Sequence, residues 1–75
     1  RISFYLPFAT KIALEIFDGT GRKIRTLLNG NFHAGLHEVL WEGRNDSGST
    51  VSSGVYFYSL KTTNRSWVRK MVLLK

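Results

Sequence analysis

Apolar side chains recur at every second position through most of this chain, and that period belongs to extended strands. Ile2, Phe4 and Leu6 share one face of a first strand, which Pro7 ends because proline cannot donate to a ladder. From residues 11–17, Ile12, Leu14 and Ile16 point one way, while Lys11, Ala13, Glu15 and Phe17 point the other. Asp18-Gly19-Thr20-Gly21 follows, and its two glycines are expected to supply the positive φ of a tight hairpin. The returning strand, 22–28, loses its alternation near Thr26, where Ile24 and Leu27 stand three apart. A bulge, or an early end to the strand, accounts for that break. Asn29-Gly30-Asn31 reads as a further turn, and residues 32–35 as a loop anchored by Phe32.

Residues 35–41 alternate again. His37, Val39 and Trp41 share a face, and Val39 and Trp41 are expected to point inward because tryptophan has the larger area to bury. Residues 42–53 are polar and glycine-bearing, a long loop turning at Asn45-Asp46-Ser47-Gly48. Ser53-Gly54-Val55-Tyr56-Phe57-Tyr58-Ser59-Leu60 is the densest aromatic and β-branched run, and reads as a central strand. After a turn over 62–65, residues 66–74 form a last, buried strand. No segment holds helical periodicity over about ten residues. About six short strands, with turns every eight to twelve residues or so, predict an all-β protein built as an antiparallel β-sandwich.

Length and composition narrow this further. Seventy-five residues make one small domain, 1–75. A chain of this size buries only about 60% of its unfolded surface. Without cysteine there is neither a disulfide nor a thiolate metal site to reinforce it, so the 43% apolar residues must make the core. No apolar run approaches the roughly 18 residues of a transmembrane helix, and no signal peptide opens the chain. It starts at Arg1 directly into a strand pattern and runs out of one near Lys75. We therefore expect one module, the C-terminal domain, of a larger protein. The net charge of +6 favours anionic partners, acidic surface glycans among them. The basic residues are scattered, however, and cluster only at Arg22-Lys23-x-Arg25 and Arg69-Lys70, so nucleic acid is not an expected partner.

Candidate chemistry is sparse. His33 and His37 stand four apart, a spacing that pairs metal ligands on a helix but guarantees nothing in a strand or loop. Asp18 and Asp46 lie in glycine turns, where aspartate bonds to nearby backbone. Glu38 and Glu42 are the nearest thing to an acid–base pair, with no sign of a cleft between them. Gly19-Thr20-Gly21 leads into a strand, not the helix that a phosphate loop requires. The aromatic residues at Tyr56-Phe57-Tyr58 and beside Arg69 at Trp67 would suit a sugar or single-strand platform if exposed; core packing explains them first. The reading is a non-enzyme with no cofactor and no metal.

Taken in order, several short markers resemble one family. They are Ile2-Ser3-Phe4-x-Leu6-Pro7, Ile16-Phe17-Asp18-x-x-Gly21-Arg22-Lys23-Ile24, and Gly35-x-His37-x-Val39-x-Trp41-x-Gly43. Then come Asp46-x-Gly48, Ser53-Gly54-Val55-Tyr56-Phe57-Tyr58-x-Leu60, and Arg69-Lys70-Met71-Val72-Leu73-Leu74-Lys75. Together these resemble the immunoglobulin-like module at the C-terminus of the flagellar hook-capping protein. A similar module serves as the C-terminal sorting domain of bacterial proteins exported by type IX secretion. The Asn-Pro-rich lead-in common before the first strand is absent. The resemblance implies an immunoglobulin-like sandwich of about six to seven strands with no active site. It also implies a sorting or attachment module, secreted or at the bacterial cell surface. Its partners would be secretion or surface-anchoring proteins and the rest of the parent chain. By that analogy the recognition residues are Gly54, Tyr56, Lys70, Met71, Val72, Leu73, Leu74 and Lys75. The alternatives are a structural assembly domain of hook-cap type and a carbohydrate-binding accessory module.

Overall fold

The alternation in residues 11–17 becomes the deepest layer of the protein. In the computed structural model, which describes residues 1–75, Ile12, Leu14 and Ile16 are at most 1% exposed. They lie on β2 (Thr10–Asp18), which pairs antiparallel with β3 (Lys23–Phe32) on one side and β5 (Gly54–Lys61) on the other. β6 (Ser66–Leu73) continues the sheet beyond β5, giving the order β3-β2-β5-β6. β1 (Ile2–Leu6) and β4 (Gly35–Val39) form a separate antiparallel pair. Ile2 and Leu6 from the small sheet meet Ile12, Leu14, Ile16, Tyr56 and Leu60 from the large one, and Trp41 completes the buried cluster. The protein is an all-β, immunoglobulin-like sandwich of six strands, four facing two.

The irregularity at Thr26 is a bulge, and there are two of them. Thr26 faces Glu15 while Leu28 faces Leu14, so Leu27 has no partner on β2; Arg25 faces Ile16 while Lys23 faces Phe17, so Ile24 has none. An extra residue at each point breaks the period of two and twists the strand. This lets Ile24, Leu27 and Leu28 all pack against the core despite their spacing. The expected turn at Asn29-Gly30-Asn31 does not form. Those residues continue β3, opposite Ala13, Ile12 and Lys11. Turn-forming residues express a local preference; a nine-residue partner strand supplies a full ladder, and here the ladder wins.

Two loops use one device. Asp18 Oδ1 accepts from Thr20 N at 2.9 Å, Thr20 Oγ1 at 2.6 Å and Arg22 N at 3.0 Å. Asn45 Oδ1 accepts from Ser47 N at 3.1 Å, Ser47 Oγ at 2.8 Å and Ser49 N at 3.0 Å. Each acceptor side chain substitutes for a backbone partner, which is why Asp and Asn are favoured there. Each loop needs one left-handed glycine, Gly21 at φ 90° and Gly48 at φ 87°. Gly19 is not among the positive-φ residues, so the hairpin uses one of its glycines in this way, not two.

Trp41 and Tyr56 seal one end of the core edge to face, with ring centroids 5.1 Å apart. Both polar tips are satisfied: the Trp41 indole donates to Arg44 O at 2.9 Å and the Tyr56 hydroxyl to Ser52 O at 2.6 Å. Burying a large ring at little polar cost is what such tips require. β4 ends at Val39, so Trp41 reaches the core from the loop. β6 departs most from expectation. Of its eight residues only Met71 and Leu73 are half-buried, and the rest are exposed. It is the last strand of the large sheet, and the two-stranded sheet opposite leaves it largely uncovered.

Candidate assembly surface

The residues marked by resemblance fall in different places. Gly54 opens β5. Tyr56 is 5% exposed, and its side chain belongs to the core. Lys70 and Val72 lie on the exposed outer side of β6, while Met71 and Leu73 turn inward. Leu74 is 83% exposed. Lys75 folds back: its amide donates to Ser53 Oγ at 3.1 Å and its Nζ donates to Val51 O. Leu73 fills the space above Gly43, where an added Cβ would lie 3.2 Å from its Cδ2. The end of the 70–75 stretch is thus tied to the 42–53 loop, as the Tyr56 hydroxyl is through Ser52 O, and Met71 pairs with Tyr56 across the sheet. β6 pairs with β5 without a break from Gly54↔Leu73 to Lys61↔Ser66.

The titratable groups do not converge. His33 and His37 stack with centroids 4.7 Å apart, and a His37 ring N–H at Nε2 donates to His33 O at 2.8 Å. Phe4 stacks on His37 at 5.3 Å and Phe32 meets it edge-on at 5.6 Å. The pair therefore works as part of an aromatic cluster joining β1, β3 and β4. Glu15 sits between Lys23 at 3.5 Å and Lys61 at 3.7 Å, and Glu38 accepts from Ser3 Oγ at 3.3 Å. The hydrogen bonds from Thr20 and the Arg22 amide hold the Asp18 carboxyl below the usual carboxylate range.

The two flanks of the sandwich, by contrast, are sharply different surfaces. On one, the aromatic cluster bridges the sheets and the 42–53 loop covers the edge of β3. Asp46 N donates to Ile24 O at 2.9 Å, Thr26 N donates to Asp46 Oδ1 at 3.0 Å, and Arg25 donates to Asn45 O at 3.0 Å. On the other, between the unpaired edges of β1 and β6, run two clefts. One, of about 600 Å³, is lined by Tyr5, Pro7, Phe8, Thr63, Arg65 and Trp67 among others. The second, of about 470 Å³, has Arg1, Ile2, Tyr58, Arg69 and Met71 in its walls. Trp67 lies opposite buried Leu60, so it points to the inner side of the sheet, yet it is 44% exposed. Tyr5 and Leu36, cross-strand partners on the outer side of the small sheet, are each 68% exposed. Periodicity alone does not mark this flank. Its one signal in the chain is the placing of Tyr5 at a position the alternation assigns to solvent.

Comparison with known proteins identifies the lineage. The profile of the FlgD Ig-like domain matches residues 2–66, which covers β1 to β5 and the turn after them. The basal-body rod modification protein FlgD of Salmonella typhimurium is 38% identical over 56 residues, 75% of this chain and 24% of that protein. The protein of the same name in Escherichia coli is 34% identical over the same length and shares. The chain thus spans about a quarter of the length of these relatives. The match over residues 2–66 and the sandwich fold agree: this chain belongs to the FlgD Ig-like domain family.

Proposed function

We propose that this module is a non-catalytic structural assembly domain of the flagellar hook-cap type, holding its parent protein to other proteins at the bacterial cell surface. The observation that carries this reading is the FlgD Ig-like match over residues 2–66, joined by the FlgD relatives. These findings support the assembly role over the sorting tag that the terminal stretch suggests by analogy. The structure supports it in a second way. Exposed Tyr5, Phe8, Leu36 and Leu40 and an uncovered β6 make contact surfaces, whereas the carboxylates Glu15, Asp18 and Glu38 are engaged in local hydrogen bonds and ion pairs. Exposed apolar patches rimmed by polar residues mark protein–protein contact.

The test is a deletion of residues 1–75 from the parent protein, followed by electron microscopy of flagella and an immunoblot of the exported fraction. An assembly domain predicts a parent that is exported at its normal level while hook and filament are defective. Loss of export with normal flagella would overturn the reading in favour of a sorting tag.

A further inference from the structure

The geometry points to the β1–β6 flank as a docking groove for an extended, acid-bearing segment of a partner protein, laid beside β1 as a third strand of the small sheet. This rests on the assembly reading for the class of partner. The small sheet has two strands against four, and β1 pairs only with β4, so its other edge offers unpaired backbone donors and acceptors. An extended segment added to such an edge gains ladder hydrogen bonds, and its alternate side chains meet pockets. A strand of about five residues, roughly 17 Å, would match β1. It would lie over the inner side of β6, where Trp67 and Met71 are incompletely covered and the two clefts open.

Charge selects the occupant. The walls of these clefts carry the side chains of Arg1, Arg65 and Arg69 and hold no Asp or Glu. None of these cations takes part in the ion pairs of the protein, which involve Arg22, Lys23 and Lys61. A second copy of this chain would bring the same cations, and a net charge of +6, against them. Like charges directly opposite one another destabilise a strand pair. An apolar strand bearing Glu or Asp at alternate positions satisfies both walls.

The experiment titrates the isotope-labelled chain, first checked for a dispersed folded spectrum, with a short synthetic peptide of alternating Val and Glu. The control peptide has Lys in place of Glu. The acidic peptide should shift amides of β1 and β6 and the Trp67 indole, and the basic one should not. Arg69→Glu should weaken binding about tenfold or more, since it reverses one side of a charge contact. Arg65→Glu, on an exposed position, provides a second variant with the same expected direction. No shift by the acidic peptide, or shifts mapped to the outer side of the large sheet, would overturn the proposal. So would equal occupancy by dextran sulfate, which has charge but no strand, or dimerisation of the chain through the same residues. In the parent protein, intact flagella with Arg69→Glu but not with the deletion would reject the groove and leave the assembly role standing.

Discussion

The two edges of the large sheet solve the same problem in opposite ways. β3 carries two bulges and is covered by the 42–53 loop through Asp46, with Arg25 and Asn45 adding a further contact. β6 has an unbroken register, no covering loop along its length, and exposed Trp67, Val68 and Val72. A bare, regular edge is a template for pairing, and proteins usually blunt it with charge, bulges or a covering segment. Here one edge has bulges and cover, and the other has only Arg69 and Lys70. The difference teaches where this small domain keeps its stability and where it keeps a surface for others.

Side-chain truncation should expose that difference most visibly. Leu14→Ala, at a fully buried position between the two sheets, should cost about 2–5 kcal/mol in denaturant unfolding. Val68→Ala on β6 should stay within about 0.5 kcal/mol, because the side chain is largely in water. Comparable losses at the two sites would show that β6 is covered in solution. Tyr56→Phe tests the sealed end: losing the bond to Ser52 O should cost about 0.5–1.5 kcal/mol with the ring packing retained.

Asp46→Ala removes the acceptor that pins the loop to β3. About 1 kcal/mol should be lost, with faster hydrogen exchange at the Thr26 amide and none of that acceleration at β6. Unchanged exchange at Thr26 would mean that the bulges alone protect the edge. The smallest expected effect is on pH. The Asp18 carboxyl sits below its unfolded value, so its contribution is present above about pH 4 and fades as pH falls through the lower folded value. Asp18→Asn should therefore reduce the acid sensitivity of the hairpin amides near Thr20 and Arg22, read by exchange between pH 5 and 2 or so. An identical acid profile in the variant would assign that sensitivity to other groups.

Much of the fold is legible in the chain because it depends on local period. The positions of Ile2, Phe4 and Leu6, of Ile12, Leu14 and Ile16, and of His37 and Val39 mark the inner faces by alternation alone, since alternate residues of a strand must share a side; Trp41 is buried as expected, but from the loop after β4. The Asp18 loop is readable for the same reason, because a side chain bonding two or four residues ahead needs no distant partner; in the second loop that acceptor is Asn45, not the expected Asp46, whose carboxylate reaches Thr26 N on β3 instead. The family is readable in the ordered markers from Ile2 to Leu60, which the family profile covers.

Other features are settled only when distant segments meet. Asn29-Gly30-Asn31 has the composition of a turn and becomes strand because β2 lies alongside it. The apolar run at 67–74 has the composition of a core strand and becomes a largely exposed one, because it is last in its own sheet and the facing sheet stops at two strands. The flank lined by Tyr5, Trp67 and Arg69 joins residues more than sixty positions apart in the chain. Periodicity states which side of a strand turns inward; it carries no information on whether anything is there to cover it, and that depends on how many strands the opposite layer holds.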